Sequence, residues 1–157
     1  MGSQNTRTID ASDIIQGVPE PLRSFIAIDS LRLPYSFKPI VEAFWTAANK
    51  INPFLRIRKR VYVLFGKAPF ILGLPNGEFR YTPKDESIIN VHLEDIILLD
   101  CEKMMRYKPQ IQVACILEEL VVVFMNISNE TLVSQVVALL YDGVEFIDGQ
   151  YHAVEDS

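Results

Sequence analysis

CILEELVVVFMNISNETLVSQVVALLYDG spans Cys115 to Gly143. Its first half is almost wholly apolar, yet Glu118 and Glu119 stand side by side in the middle. Burying one carboxylate is costly, and burying two is worse unless something pairs with them. The run from Lys108 to Ile127 is long enough for a helix, and Pro109 suits its first turn. On a helical wheel at about 100° per residue, Val113, Ile116, Leu117, Leu120, Val121, Val123 and Phe124 fill one broad arc. Cys115, Glu118, Glu119 and Val122 share the narrow arc that remains. The two carboxylates are therefore expected on the one seam of this helix that faces a cleft or solvent.

Outward from that stretch, Ser128 or Asn129 can cap a second helix over 129–143, with Gly143 to end it. Upstream, SFKPIVEAFWTAANKINP (36–53) carries Ile40, Val41, Phe44, Trp45, Ala48 and Ile51 at helical spacing. Ser36 can cap that helix and Pro53 stops it. RKRVYVLFG (58–66) and GEFRYTP (77–83) read as strands. SIINVHLEDIILL (87–99) reads as a further strand, with Asn90, His92 and Glu94 on one face and Ile89, Val91, Leu93 and Asp95 on the other. Residues 24–33 alternate weakly, as an edge strand would. The order helix, strands, helix, helix predicts an α+β domain, a small mixed sheet packed with helices, without alternating βαβ units. The expected division is a tail and short edge segment over 1–34, the domain over 35–150, and an acidic tail over 151–157.

Composition narrows the function. At 157 residues the chain suits one core. A net charge of −5 argues against a nucleic-acid surface, which needs clustered Lys and Arg. The short basic run Arg56 to Arg60 reads as a solvated strand edge. No apolar run reaches the ~18 residues of a membrane span, and the polar N-terminus shows no export signal. A cytoplasmic chain is expected, although Met1 to Thr6 fits the permissive M-G-x-x-x-[ST] lipidation pattern. Two cysteines, Cys101 and Cys115, form no disulfide framework or metal-binding pair. Two histidines, His92 and His152, limit zinc and triad chemistry. No cofactor motif occurs.

A helix, strands, and then a buried helix with Glu on its cleft-facing seam resemble the zincin arrangement. In active zincins that helix carries H-E-x-x-H, two histidines for zinc and a Glu that activates water. With Glu119 on that Glu, this chain reads E-E-L-V-V, so Glu118 and Val122 stand where the histidines belong. The segment is also similar to an uncharacterised bacterial zincin-like family with C-x-x-E-E-L and then L-L-x-x-L-Y-D-P. The matching positions are Cys115, Glu118, Glu119, Leu120, Asn129, Leu139, Leu140, Tyr141, Asp142 and Gly149. Gly143 replaces the family's Pro, and the Gly usual after Phe124 is missing. The likeness covers roughly residues 36 to 150.

The resemblance implies a non-catalytic, pseudo-metallopeptidase domain that binds a peptide or protein in a groove lined by His92, Glu94, Glu118 and Val122. Because Val cannot ligate a metal, no resident metal or cofactor is expected. His92 with Glu94 and the helix carboxylates forms the weaker metal alternative. Two other readings stand beside this one. The first is a hydrolase with Glu119, helped by Glu118, as general base. The second is a small acidic interaction or inhibitor protein with no ancestral site.

Overall fold

The structure is a computed structural model that describes residues 7–155 apart from 31, 57, 58 and 75. In chain order it contains β1 (Thr8–Ile9), α1 (Ala11–Gln16), α2 (Glu20–Arg23), β2 (Ile26–Asp29), β3 (Leu33–Pro34) and α3 (Lys38–Ile51). Then follow β4 (Val61–Gly66), β5 (Phe70–Leu74), β6 (Gly77–Tyr81), β7 (Asn90–Leu93) and β8 (Ile96–Asp100). The chain ends with α4 (Cys101–Met104), α5 (Pro109–Met125), α6 (Glu130–Leu140), β9 (Val144–Ile147) and β10 (Gln150–Ala153). The class is α+β, with small mixed sheets.

The central sheet has the order β2-β4-β8-β7. β2, β4 and β8 are parallel, and β7 runs antiparallel along β8 as the last strand. Parallel neighbours need a crossover, and α3 supplies it between β2 and β4. The chain thus contains a βαβ unit, which the element order had argued against. That order misleads because β2 is only four residues long and carries too little pattern to be weighed as a partner of β4.

Strand alternation divides the sheet into two faces. Val61, Val63 and Phe65 of β4 and Ile97 and Leu99 of β8 join the main core beneath α3 and α5. Leu64 and Leu98 point the other way and pack with Phe70 in a smaller cluster on the β5–β6 side. Phe44 of α3 meets Phe65 edge-to-face at 5.3 Å. The helices dock by the residues their spacing selects: Ile40, Val41, Phe44, Ala48 and Ile51 on α3, and Ile116, Leu117, Leu120 and Val121 on α5, are buried. Trp45 is only half-buried, and its indole N–H donates to the Ile14 carbonyl at 2.7 Å.

Helix ends follow local chemistry. Pro109 sits in the first turn of α5, and Asn126 ends it in the left-handed region at φ 55°. Asn129 caps α6 by accepting from the Leu132 N–H at 2.9 Å. Ser36 caps nothing, because Tyr35–Phe37 form a 3-10 turn and α3 begins at Lys38. Gly143 is not a helix stop either, since α6 closes at Leu140 with Tyr141 already extended. A side chain at 143 would meet the far end of the Tyr141 ring, which would have to move to admit it.

Three further readings of the sequence are corrected. The strand expected over 87–99 is a hairpin that reverses at Glu94 and Asp95, with Glu94 at φ 53°. Residues 7–34 are not a tail: Ile9, Ile14, Val18, Leu22, Ile26 and Leu33 belong to the main core. The edge strand expected there is real, as β2. Residues 144–153 form the β9–β10 hairpin, turned by Asp148 at φ 52° and Gly149 at φ 78°, where an acidic tail was expected from 151. Asp-Gly between alternating residues favours such a two-residue turn. Residues 1–6 lie outside the described residues, and with them the lipidation pattern; Ile57 and Arg58 of the basic run do as well. No single helix among the described residues is long and apolar enough to cross a membrane.

The depth of α5 generates a prediction. Leu120 is 0% exposed, so Leu120→Ala removes buried methyl groups and leaves a cavity. It should cost about 2–5 kcal/mol in urea denaturation. A loss under about 0.5 kcal/mol, normal for surface sites, would show that α5 does not run through the core.

Candidate functional site

The β7–β8 register builds the site. Asn90 pairs with Leu99 and His92 with Ile97, so both polar residues share the face that carries the buried Leu99 and Ile97. That face looks at α5, and each polar group there needs a partner. The Asn90 side-chain amide donates to the Cys115 carbonyl at 2.7 Å. His92 Nδ1 lies 2.7 Å from Glu119 Oε2. The sequence expectation that the strand bearing His92 meets the glutamate helix across a groove is thus met in the geometry.

Glu119 itself is placed more deeply than the wheel suggested. It is buried at 8% exposed, so it does not form the wet edge of the helix. The wheel gives direction and not depth, and β7 closes over the seam at this point. Burial raises the Glu119 carboxyl above its ordinary value, opposed by the hydrogen bond and charge of His92, while the neighbouring Glu118 adds to the rise. The imidazole is more than a third exposed, which leaves its other nitrogen toward the groove.

Glu118, half-buried, takes a different partner. The Tyr151 hydroxyl of β10 donates to Glu118 Oε2 at 2.8 Å. Burial again raises the carboxyl; Glu130 on α6 raises it further, while the Tyr151 hydrogen bond and the His92 charge oppose this. Tyr151 is held firmly as the neutral phenol, first by burial and then by the Glu118 charge, against an opposing hydrogen bond from the buried Ser134. The ring of Phe146 flanks it at 5.5 Å. Cys115 shares this seam, and burial followed by the two glutamate charges pushes its thiol up to about 12. A thiol so poorly ionised is not a nucleophile near neutral pH.

A groove of about 790 Å³ opens between β7 and α5. His92, Glu94, Glu118, Glu119, Val122 and Glu130 line it. Lys59 at the rim is paired with Asp95 at 2.9 Å. The structure therefore brings His92 and Glu119 into contact, sets Glu118 in a separate pair, and leaves Glu94 and Val122 as wall residues. Among the described residues, no three His, Cys, Asp or Glu side chains sit together in a way that could hold a metal ion.

Reasoning from the sequence missed Tyr151, Ser134 and Asn90. Tyr151 was hidden by the acidic residues after it, although the Asp-Gly turn was a usable signal. Asn90 stood one strand period from His92 and shared its face. Ser134 carried no signal, being one hydroxyl on a helix.

No family model, no curated protein and no solved structure matches the chain.

The raised carboxyls fix a sign for pH dependence. A carboxyl whose folded pKa exceeds its unfolded one binds more protons in the native state over the interval between the two values. Its contribution is full below the ordinary carboxylate value and is lost as pH rises through the folded one. Between pH about 4.5 and neutrality, the wild type should therefore lose stability relative to Glu118→Gln, whose amide mimics the protonated acid. Denaturant midpoints at several pH values check this. A wild type that gains stability relative to Glu118→Gln as pH rises would mean that Glu118 is stabilised as the anion.

Proposed function

We propose that the groove between β7 and α5 binds an extended peptide or a segment of a protein partner, in a domain of degenerate, zincin-like design. The observation that carries this reading is the placement of β7. It is the last strand of the sheet, and it runs beside the seam of α5 that bears Glu118 and Glu119. A terminal strand presents backbone N–H and C=O groups, and a partner in extended form can pair with them while its side chains enter the groove. The zincin-like part rests on the same geometry, because the resemblance implies a strand beside the Glu-bearing helix. Glu118 and Val122, at the positions of the missing histidines, both line this groove.

The charges narrow the partner. Glu94, Glu118 and Glu130 face the groove, whereas its lysine, Lys59, is engaged by Asp95, and His92 is hydrogen-bonded to Glu119. A partner with Lys or Arg at alternate positions offsets these charges, and an acidic one is repelled. The domain is thus a recognition module for a basic, extended segment, with no catalytic step of its own.

The alternative of a hydrolase draws on one observation. Glu119 holds His92 Nδ1 at 2.7 Å and so orients an imidazole toward the groove. In that reading His92 would take the base role first assigned to Glu119, whose Oε2 is already committed to the ring.

A labelled peptide alternating Val and Lys should bind the full chain in fluorescence anisotropy, more weakly as salt rises. The double variant Glu118→Lys, Glu130→Lys should weaken binding by roughly tenfold or more. The Val/Glu counterpart should not bind. Equal affinity for the two peptides, or an unchanged affinity in the variant, would contradict the reading.

A further inference from the structure

A second cavity, of about 400 Å³, opens at the carboxyl ends of the parallel strands β2 and β4. In open sheets with parallel strands this is where small ligands are commonly seated. It shares no lining residue with the groove beside α5. Leu33, Phe37, Leu64, Phe70 and Ile71 are among its apolar wall residues. The side chains differ in depth: Leu33, Leu64 and Phe70 are buried, and Ile71, 40% exposed, stands at the rim. Apolar walls of this kind gain when an apolar group displaces the water against them.

The polar groups of this cavity have an uneven balance. Ser30 is buried and spends its hydroxyl on the Ile9 carbonyl at 3.3 Å. Lys67 and Glu102 sit together on the rim at 3.7 Å and offset each other. Arg32 remains, with no ion pair among the described residues. It also adopts φ 60°, a left-handed conformation that a bulky non-glycine residue rarely takes. Strain of this type gathers where a side chain must be presented to a ligand. A guanidinium offers two parallel N–H groups that match a carboxylate. An alkylammonium would meet the like charge of Arg32 here, and a neutral alkyl chain would leave Arg32 unanswered.

We propose that this cavity binds a small amphipathic carboxylate, with its apolar tail against Leu33, Phe37 and Phe70 and its carboxylate on Arg32. The site is independent of the peptide-binding groove.

Isothermal titration of the full chain with octanoate, 1-octanol and octylammonium tests this. Octanoate should bind at least about tenfold more tightly than either of the others. Arg32→Gln, an exposed position that keeps the fold, should bring octanoate down to the level of 1-octanol. Lys67→Gln should change the affinity by less than about threefold, since that charge is already offset. His92→Ala, in the separate groove, should leave octanoate binding unchanged. No octanoate binding at millimolar concentration, equal binding of octanoate and 1-octanol, or an Arg32→Gln variant with parent-like affinity would each overturn the proposal. Loss of octanoate binding in a folded His92→Ala protein would overturn the independence of the two sites.

Discussion

Two adjacent carboxylates on a helix that is otherwise core must find partners outside that helix. This constraint organises one side of the molecule. Adjacent residues on a helix point about 100° apart, so a single neighbour cannot serve both. Glu119 is met by His92 from β7, and Glu118 by Tyr151 from β10. Each contact ties a strand from a distant part of the sequence to α5. The hairpin of β7 and β8 approaches from one side and that of β9 and β10 from another, and the groove lies between β7 and α5. An apolar pair at 118 and 119 would pack more cheaply, as buried ion pairs often can be replaced without loss. What the glutamates add is a polar wall within a greasy helix.

The consequence is a site with strong electrostatics and few reactive groups. Burial raises both carboxyls, holds Tyr151 as a phenol and pushes the Cys115 thiol far from ionisation. The groove also lies where the edge strand β7 ends the sheet, which is the placement the proposed reading draws on. The cavity lined by Arg32 has the opposite character, apolar walls with a cation that has no ion pair among the described residues, and draws on neither glutamate.

Local signals were legible in the sequence, and non-local ones were not. The spacing of Ile40, Val41, Phe44 and Ile51, the Pro109 start of α5 and the Asn129 cap of α6 are short-range chemistry that a single segment carries. The meeting of His92 with the glutamate seam could be anticipated because strand alternation and the helical wheel each assign a face. How deeply Glu119 is buried could not, since depth is decided by β7 closing over it. Parallel pairing of β2 with β4 depends on residues some 35 positions apart, and four residues of β2 hold no mark of their partner. The core role of Ile14 and Leu22 was missed because α1 and α2 are too short to show a period. Tyr151 was missed for a different reason: the acidic end of the chain outweighed an Asp-Gly turn that favours a hairpin.

The central claim is that Glu119 is a buried group held by His92. The most direct measurement is a double-mutant cycle on stability, combining Glu119→Gln and His92→Ala with each single change. Hydrogen bonds to charged groups contribute about 1.5–3 kcal/mol, less where one partner is partly exposed as His92 is. A coupling of about 1 kcal/mol or more is therefore expected near neutral pH. Additive effects, with coupling within about 0.3–0.5 kcal/mol of zero, would contradict the account and leave α5 and β7 without the contact that defines the groove.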